Sequence, residues 1–154
     1  MILSRSLRYT LQALVLLATD PSGRPVMVRE LAERLNLPAA YLSKLLHRLA
    51  QAGILQSSRG PQGGFRLTAG GRRMNLMQLI VLINGEQAVR ECVLGFKTCA
   101  DDTACALHGH WRPIKEQLFD LLASQSVAEL AEAVKGGRCR LEDLNALPLP
   151  PLSA

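Results

Sequence analysis

The sequence contains no apolar run long enough to cross a membrane. Its longer apolar stretches, such as residues 14–18 and 79–83, are far shorter than the roughly 20 residues that a membrane helix needs. Two arginines before the first stretch imitate a secretory leader, but Gln12 interrupts the apolar residues and no small-residue cleavage site follows. We therefore expect a cytoplasmic protein that makes no membrane contact.

Acidic residues are scarce in the first half of the chain. Residues 1–74 contain eleven lysines and arginines but only three acidic residues, a net charge of +8, whereas the remainder has seven bases and ten acids, a net charge of −3. A basic segment of this kind is typical of a module that binds a polyanion. The chain also lacks a nucleotide-binding loop or another recognisable substrate motif, so a redox enzyme is the least favoured interpretation.

Three helices are predicted in the first 53 residues. Ser4 or Ser6 can cap the first helix, and residues 28–35 have the apolar spacing of a short second helix. Pro38 suits the first position of a third helix, which Gly53 terminates. Two short helices joined by a tight turn, the second with a polar outer face, indicate a helix-turn-helix.

A β-hairpin is predicted directly after the third helix. Residues 54–57 and 65–68 are strand-like runs around a turn rich in glycine and proline, and a hairpin at this position would be a wing. Glycines allow close approach to a sugar-phosphate backbone, and Arg59 can enter a narrow minor groove. The candidate DNA-binding residues lie at the start or outer face of the third helix and on the wing: Ala39, Ala40, Tyr41, Ser43, Lys44, Arg48, Arg59, Gly60, Gln62 and Gly63.

Tyr41, Ser43 and Lys44 are the favoured base contacts among these residues, because recognition helices read bases mainly through their N-terminal residues. For Arg48 we expect a phosphate contact or a solvated side chain.

The second half of the chain predicts helices around an irregular segment. Residues 74–83 indicate an apolar helix, residues 86–109 have no clear periodicity, and Ser126 can cap a last short helix. Between them, apolar residues recur at steps of four and three: Leu107, Trp111, Ile114, Leu118 and Leu121. This seam predicts pairing with a second copy of the helix, or packing on the chain's own body. Pro113 indicates that the helix begins near Arg112 or kinks there.

Three cysteines and a histidine form a cluster in the irregular segment. Cys92, Cys99, Cys105 and His108 follow the spacing C-x6-C-x5-C-x2-H, and thiolate and imidazole ligands suit an iron–sulfur cluster or zinc. The absence of CxxC pairs makes zinc less favoured. A thiol switch without metal remains an alternative. Cys139, in the tail, is expected to be a free thiol.

The sequence resembles the bacterial winged-helix regulators typified by IscR and NsrR. Over residues 1 to about 135, the resemblance is carried by Arg8-Tyr9, by Tyr41-Leu42, by the wing sequence RGPQGGF beginning at Arg59, and by the cysteine cluster. It implies a mainly α fold with a small β wing, divided into a DNA-binding domain (1–74), dimerisation helices with a sensor loop at about 86–109 (75–135), and a flexible tail (136–154). It also implies a homodimer that binds double-stranded DNA at a two-fold-symmetric operator.

The resemblance further implies an iron–sulfur cofactor. The IscR-like pattern has three cysteines and then a histidine separated from the last cysteine by two residues, with one residue fewer in the first gap, and it favours a [2Fe–2S] centre. In NsrR-like proteins an acidic residue of the partner's first helix is the fourth ligand, and the matching position here is Arg8. The alternatives left open are a [4Fe–4S] nitric-oxide-responsive centre, and Asp101 or Asp102 in place of His108.

Overall fold

The computed structural model describes residues 4–96, 98–101 and 104–138. Eight helices and two strands lie in these ranges, in the order α1 Arg5–Thr19, α2 Val28–Leu35, α3 Ala39–Gln51, β1 Leu55–Ser58, β2 Gly64–Leu67, α4 Ala69–Arg73, α5 Leu76–Asn84, α6 Gln87–Arg90, α7 His108–Ser124 and α8 Val127–Lys135. The predicted mainly α fold with a small β wing is confirmed. No helix in the described ranges is long and apolar enough to span a membrane.

The helix-turn-helix forms from α2 and α3, as predicted. Ser4 caps α1 by accepting a hydrogen bond from the Leu7 amide at 3.1 Å. Asn36 adopts a left-handed conformation (φ 52°) and ends α2, because the next amide, that of Leu37, then donates to the Ala32 carbonyl at 2.9 Å. Pro38 lies one position earlier than predicted, as the N-cap residue of α3 rather than its first helical residue. Leucines from all three helices are buried together beneath this turn.

The wing is an antiparallel hairpin whose second strand is hydrogen-bonded to the loop between α1 and α2. β1 pairs with β2 in the register Leu55↔Leu67 to Ser58↔Gly64. The Val26 amide donates to the Phe65 carbonyl, and the Phe65 amide donates to the Val26 carbonyl, both at 2.9 Å. A Cβ at Gly64 would collide with the Val26 carbonyl, and its φ of +141° suits glycine. This glycine therefore permits the close approach that fixes the wing against the helices.

The first and last helices share one hydrophobic core. α1 packs against α8, and Val127 and Ala131 of α8 are buried with the leucines of α1. A bridge between Asn75 and Ser126 holds α8 at the start of α5. Helices on the two sides of the predicted domain boundary at residue 74 therefore pack together. The predicted tail lies outside the described residues from 139 onward.

The helix that carries the apolar seam begins earlier than the sequence predicts. α7 starts at His108, four residues before Arg112, and contains Pro113 in its second turn. The first turn forms through bonds from His110 and Trp111 to the Leu107 carbonyl. Proline at this position removes only one bond close to the helix start, so the helix tolerates it. Of the two predicted alternatives, a start near Arg112 was wrong, and a kink there stays a prediction. Two short helices, α4 and α6, were also not predicted.

Candidate sensor and DNA-binding sites

The four predicted ligands lie together: the three cysteines are in the loop between α6 and α7, and His108 is the first residue of α7. The Sγ atoms of Cys92 and Cys105 are 3.5 Å apart, and the Cys99 Sγ is 3.5 Å from the Nδ1 of His108. A side-chain contact between Cys92 and Cys99 joins the two pairs. Cys92 and His108 are buried, whereas the other two cysteines are half-buried. The loop thus brings three sulfurs and one imidazole nitrogen to one place.

Backbone hydrogen bonds shape this loop. Cys92 begins a tight turn in which its carbonyl accepts from the Gly95 amide at 2.9 Å, and Gly95 has a φ of +85° that favours glycine. The Cys99 amide donates to the Arg90 carbonyl at 2.9 Å, which holds the second cysteine against the end of α6. The His108 amide donates to the Cys105 carbonyl, also at 2.9 Å, so the third cysteine and the histidine flank the start of α7.

Hydrogen bonds favour the charged forms of two side chains of the loop, those of Cys92 and Asp101. The backbone N–H of Leu94 lowers the pKa of the Cys92 thiol, and the neighbouring cysteines and the Phe96 N–H act in the same direction against burial. Bonds from His108 and then from Arg112 lower the pKa of Asp101. A thiolate is the form that binds soft metals. These contacts therefore shift Cys92 toward the thiolate relative to an unperturbed cysteine.

The donor set fits an iron–sulfur cluster, although the side chains are in mutual contact rather than spread around a metal. Among the described residues, no three His, Cys, Asp or Glu side chains surround one point as ligands of a metal ion. Three thiols and one imidazole are nevertheless the chemistry that such clusters use. Asp101 contacts the Nε2 of His108 at 3.0 Å rather than a cysteine. Asp102 and Cys139 lie outside the described residues.

The predicted DNA-binding residues occupy two neighbouring elements. The side chains of Ala39, Ala40 and Lys44 are exposed at the start of α3, and Ser43 is half-buried. On the wing, Arg59, Gly60 and Gln62 are exposed, whereas Gly63 is buried against the backbone of Ser58 and Arg59. The Tyr41 hydroxyl is 2.7 Å from the Ser6 Oγ, and its ring packs edge-on against Tyr9. Tyr41 is thus oriented by α1.

Arg48 makes contacts that sequence reasoning did not foresee. Its Nη1 donates to the Ile83 carbonyl at 3.1 Å and its Nη2 to the Leu82 carbonyl at 2.5 Å. These carbonyls end α5, where helical carbonyls lack partners within the helix and attract cations. The predicted helix end at Asn84-Gly85 implies that carbonyls without helical partners lie there. Nothing local in the sequence indicates that Arg48, about 35 positions earlier, would bond them. The phosphate contact predicted for Arg48 remains untested, and this intramolecular bond competes with it.

The apolar seam faces outward along α7. Ile114 and Leu121 are 55% and 57% exposed, and Leu107, just before the helix, is 45% exposed. Trp111 and Leu118 are half-buried. Exposed large apolar side chains in a stripe are unusual on a monomer and mark an interaction surface. The packing of the described residues thus leaves much of the seam accessible.

Comparison with known proteins identifies the fold and the family. The chain is 29% identical over 123 residues to the transcriptional regulator IscR of Vibrio campbellii, covering 80% of this chain and 73% of that protein. Among solved structures, IscR of T. potens superposes with a TM-score of 0.67 at 26% identity, covering 89% of this chain and 90% of that one.

CymR of B. subtilis, described as its global cysteine regulator, superposes with a TM-score of 0.70 at 25% identity, covering 84% and 95% of the two chains. These relatives are transcriptional regulators and not enzymes. Residues 3–133 match the Rrf2 family, described as iron-dependent transcriptional regulators. With more than half of its length matched, the chain belongs to the Rrf2 family of DNA-binding transcriptional regulators.

Proposed function

We propose that this regulator binds a two-fold-symmetric operator as a homodimer in the cytoplasm, under the control of a [2Fe–2S] cluster. The observation that carries the proposal is the chain of contacts joining Cys92, Cys99, Cys105 and His108 in one loop. These four side chains would hold the cluster. When bound, it would supply a redox-active and chemically labile centre.

The α3 N-terminus and the wing are proposed to bind DNA. Tyr41, Ser43 and Lys44 would enter the major groove, with Ala39 and Ala40 allowing close approach. Arg59, exposed on the wing, would enter the minor groove. The positive charge of residues 1–74 supports this surface, since phosphate contacts supply much of the affinity for DNA.

Arg48 offers a route from the sensor loop to the DNA surface. Its guanidinium joins α3 to the end of α5, and only residues 85–91, which include the short helix α6, separate that end from Cys92. Asn84 also accepts a hydrogen bond from Ser4, at the start of α1. A change in the order of the loop can therefore bias the position of α3, as a switch between two states requires.

The α7 seam is proposed to form the dimer interface. Its residues Leu107, Trp111, Ile114, Leu118 and Leu121 follow a helical stripe of which three members are largely exposed. Burying such a stripe against the same stripe of a second copy gives the self-complementary contact of a two-fold dimer. Because α7 begins at His108, ligation at this residue can influence both the loop and the interface.

The cluster is tested by a spectrum and a DNA titration made on the same samples. The probe is a duplex selected from a random-sequence library by the wild-type protein. Wild-type protein reconstituted anaerobically with ferrous iron and sulfide should be red-brown, and its DNA affinity should change on cluster loss. Cys92→Ala, Cys99→Ala and Cys105→Ala should remain colourless and unresponsive, whereas Cys139→Ala should behave as wild type. Colourless wild-type protein would contradict the cluster.

His108 is tested separately as the fourth ligand. Protons compete with iron for the imidazole, and thiolate ligation is generally stronger, so His108 is expected to be the weakest ligand of the four. His108→Cys should retain a cluster and lose much of the response. If His108→Ala keeps both the spectrum and the switching of the wild type, the fourth ligand lies elsewhere, and a [4Fe–4S] centre or an aspartate ligand gains support.

A thiol switch is the second candidate, and the contact between Cys92 and Cys105 favours it. With their sulfurs 3.5 Å apart, a peroxide or small-disulfide oxidant could join them into a disulfide, removing two protons and two electrons. In this case iron-free protein would change its DNA affinity on oxidation and recover with dithiothreitol. Cys105→Ser would abolish the change, while Cys99→Ser would preserve it.

A further inference from the structure

The two ring nitrogens of His108 face different partners. Nδ1 points to the Cys99 Sγ at 3.5 Å, on the side of the thiols. Nε2 lies 3.0 Å from the Oδ1 of Asp101, which is on the loop before α7. The His108 side chain is only 10% exposed, whereas that of Asp101 is 75% exposed. The imidazole is therefore enclosed between the thiols and a carboxylate at the surface.

Arg112 fixes the carboxylate that His108 meets. Its Nη1 is 2.8 Å from Oδ1 and 2.9 Å from Oδ2 of Asp101, and its Nε donates to Glu116 at 3.0 Å. His108 and Arg112 are four residues apart on α7, so they project from the same face of the helix. Both side chains can thus hold one carboxylate without distorting the helix.

We propose that Asp101, held by Arg112, is a positioning residue that makes Nδ1 of His108 the ligand nitrogen. This inference rests on the proposed cluster. An ionised carboxylate only accepts hydrogen bonds, so the imidazole proton must be on Nε2, and Nδ1 presents its lone pair to the thiols. A carboxylate behind a metal-binding imidazole fixes its orientation and increases its basicity.

The same geometry argues against Asp101 as a direct ligand. Its Oδ1 is bonded to both His108 and Arg112, and its Oδ2 to Arg112. The carboxylate contacts the ring nitrogen that does not face Cys99. Asp101 thus acts through His108, and its removal should weaken one ligand rather than delete it.

The test compares five reconstituted proteins: wild type, Asp101→Ala, Asp101→Asn, Arg112→Gln and Glu116→Gln. Iron and sulfide content, the rate of cluster loss to a chelator, the reduction potential, and the pulsed-EPR signal of the remote histidine nitrogen are measured for each. Glu116→Gln is the matched control, because it removes the other partner of Arg112 and leaves Asp101 in place. Circular dichroism of each apoprotein checks folding.

Asp101→Ala should bind the cluster about 10- to 100-fold more weakly, with a more positive potential and an altered remote-nitrogen signal. Asp101→Asn should shift the potential in the same direction by less, since its amide oxygen still accepts the Nε2 proton. Arg112→Gln should lose its cluster to the chelator faster than wild type, because the Asp101 carboxylate is no longer held in place, and Glu116→Gln should match the wild type. If Asp101→Ala does not fold, the isosteric variant Asp101→Asn tests the positioning role instead, through its reduction potential and its remote-nitrogen signal.

Two results would overturn the positioning role while leaving the cluster in place. In one, both Asp101 variants have the same reduction potential, rate of cluster loss and remote-nitrogen signal as the wild type. In the other, Asp101→Ala is as colourless as Cys99→Ala while His108→Ala keeps its cluster, which would make Asp101 the ligand itself. Wild-type protein that takes up no iron and sulfide would instead overturn the proposed function, and the positioning role with it.

Discussion

From α1 to α5 the large apolar side chains are mostly buried, whereas the sensor loop and α7 expose many of theirs. Leu14, Leu31, Leu42 and Leu46 are fully buried in the first region. In the second, the exposed apolar residues are Val93, Leu94, Phe96, Leu107, Ile114 and Leu121. The contrast indicates that the first region is stabilised by a buried core, to which α8 also contributes, while the sensor loop and α7 leave apolar surface accessible, as the proposed dimer requires.

The largest expected effect is a loss of stability in the first region. Leu46→Ala, at a fully buried position of α3, should lower the free energy of unfolding by about 2–5 kcal/mol, because it leaves a cavity. Ile114→Ala, at an exposed position of α7, should change it by less than about 0.5 kcal/mol at protein concentrations below dimerisation. Urea denaturation measures both, and similar losses would contradict the contrast.

A negative charge on the seam should disrupt the proposed dimer. Ile114→Glu would place an unpaired carboxylate in the interface, at a cost of about 2 kcal/mol or more of dimerisation free energy. Sedimentation velocity should then show a shift toward monomer. Ala123→Glu, which adds the same charge at an exposed position on the opposite face of α7, serves as the control. A monomeric wild type would remove the seam from consideration.

Arg59 should contribute to DNA binding without contributing to the fold. Arg59→Ala is expected to weaken binding of the selected duplex by about 1–3 kcal/mol and to reduce the log–log salt slope by about one. Arg90→Ala removes an exposed arginine of the sensor region and should leave both quantities unchanged. Fluorescence anisotropy at several salt concentrations distinguishes the two variants, and equal affinities would exclude Arg59 from the interface.

The smallest effect concerns the cap of α8. The backbone N–H of Ser126 donates to Glu129 and, with the Ser126 hydroxyl, lowers the pKa of that carboxyl. A lowered pKa in the folded state stabilises the fold above the unfolded-state pKa, and this contribution is lost as the pH falls through the folded-state value. Glu129→Gln should therefore be less stable than wild type at pH 7, and the difference should disappear in acid. A constant difference across pH would show that the charge is not responsible.

Local sequence signals determined most of the DNA-binding region. The cap at Ser4, the turn before Pro38 and the glycines of the wing act within a few residues, so spacing alone located these elements, as it did the cap at Ser126 in the second half. The cysteine spacing likewise identified the loop that brings the four side chains together. The spacing did not identify Asp101 as the partner of the second nitrogen of His108, because the sequence does not distinguish a carboxylate that binds the cluster from one that bonds a ligand histidine.

The sequence by itself determined the helix-turn-helix, the wing and the set of sensor side chains, because each depends on neighbours along the chain. Tertiary structure alone decided that α1 packs on α8 in one core. It also decided that Arg48 bonds the end of α5, and that Arg112 holds the carboxylate behind His108. These contacts join separate elements, and their geometry depends on how helices pack rather than on any periodic pattern. The contacts on which the proposed regulation rests therefore become visible only in the folded chain.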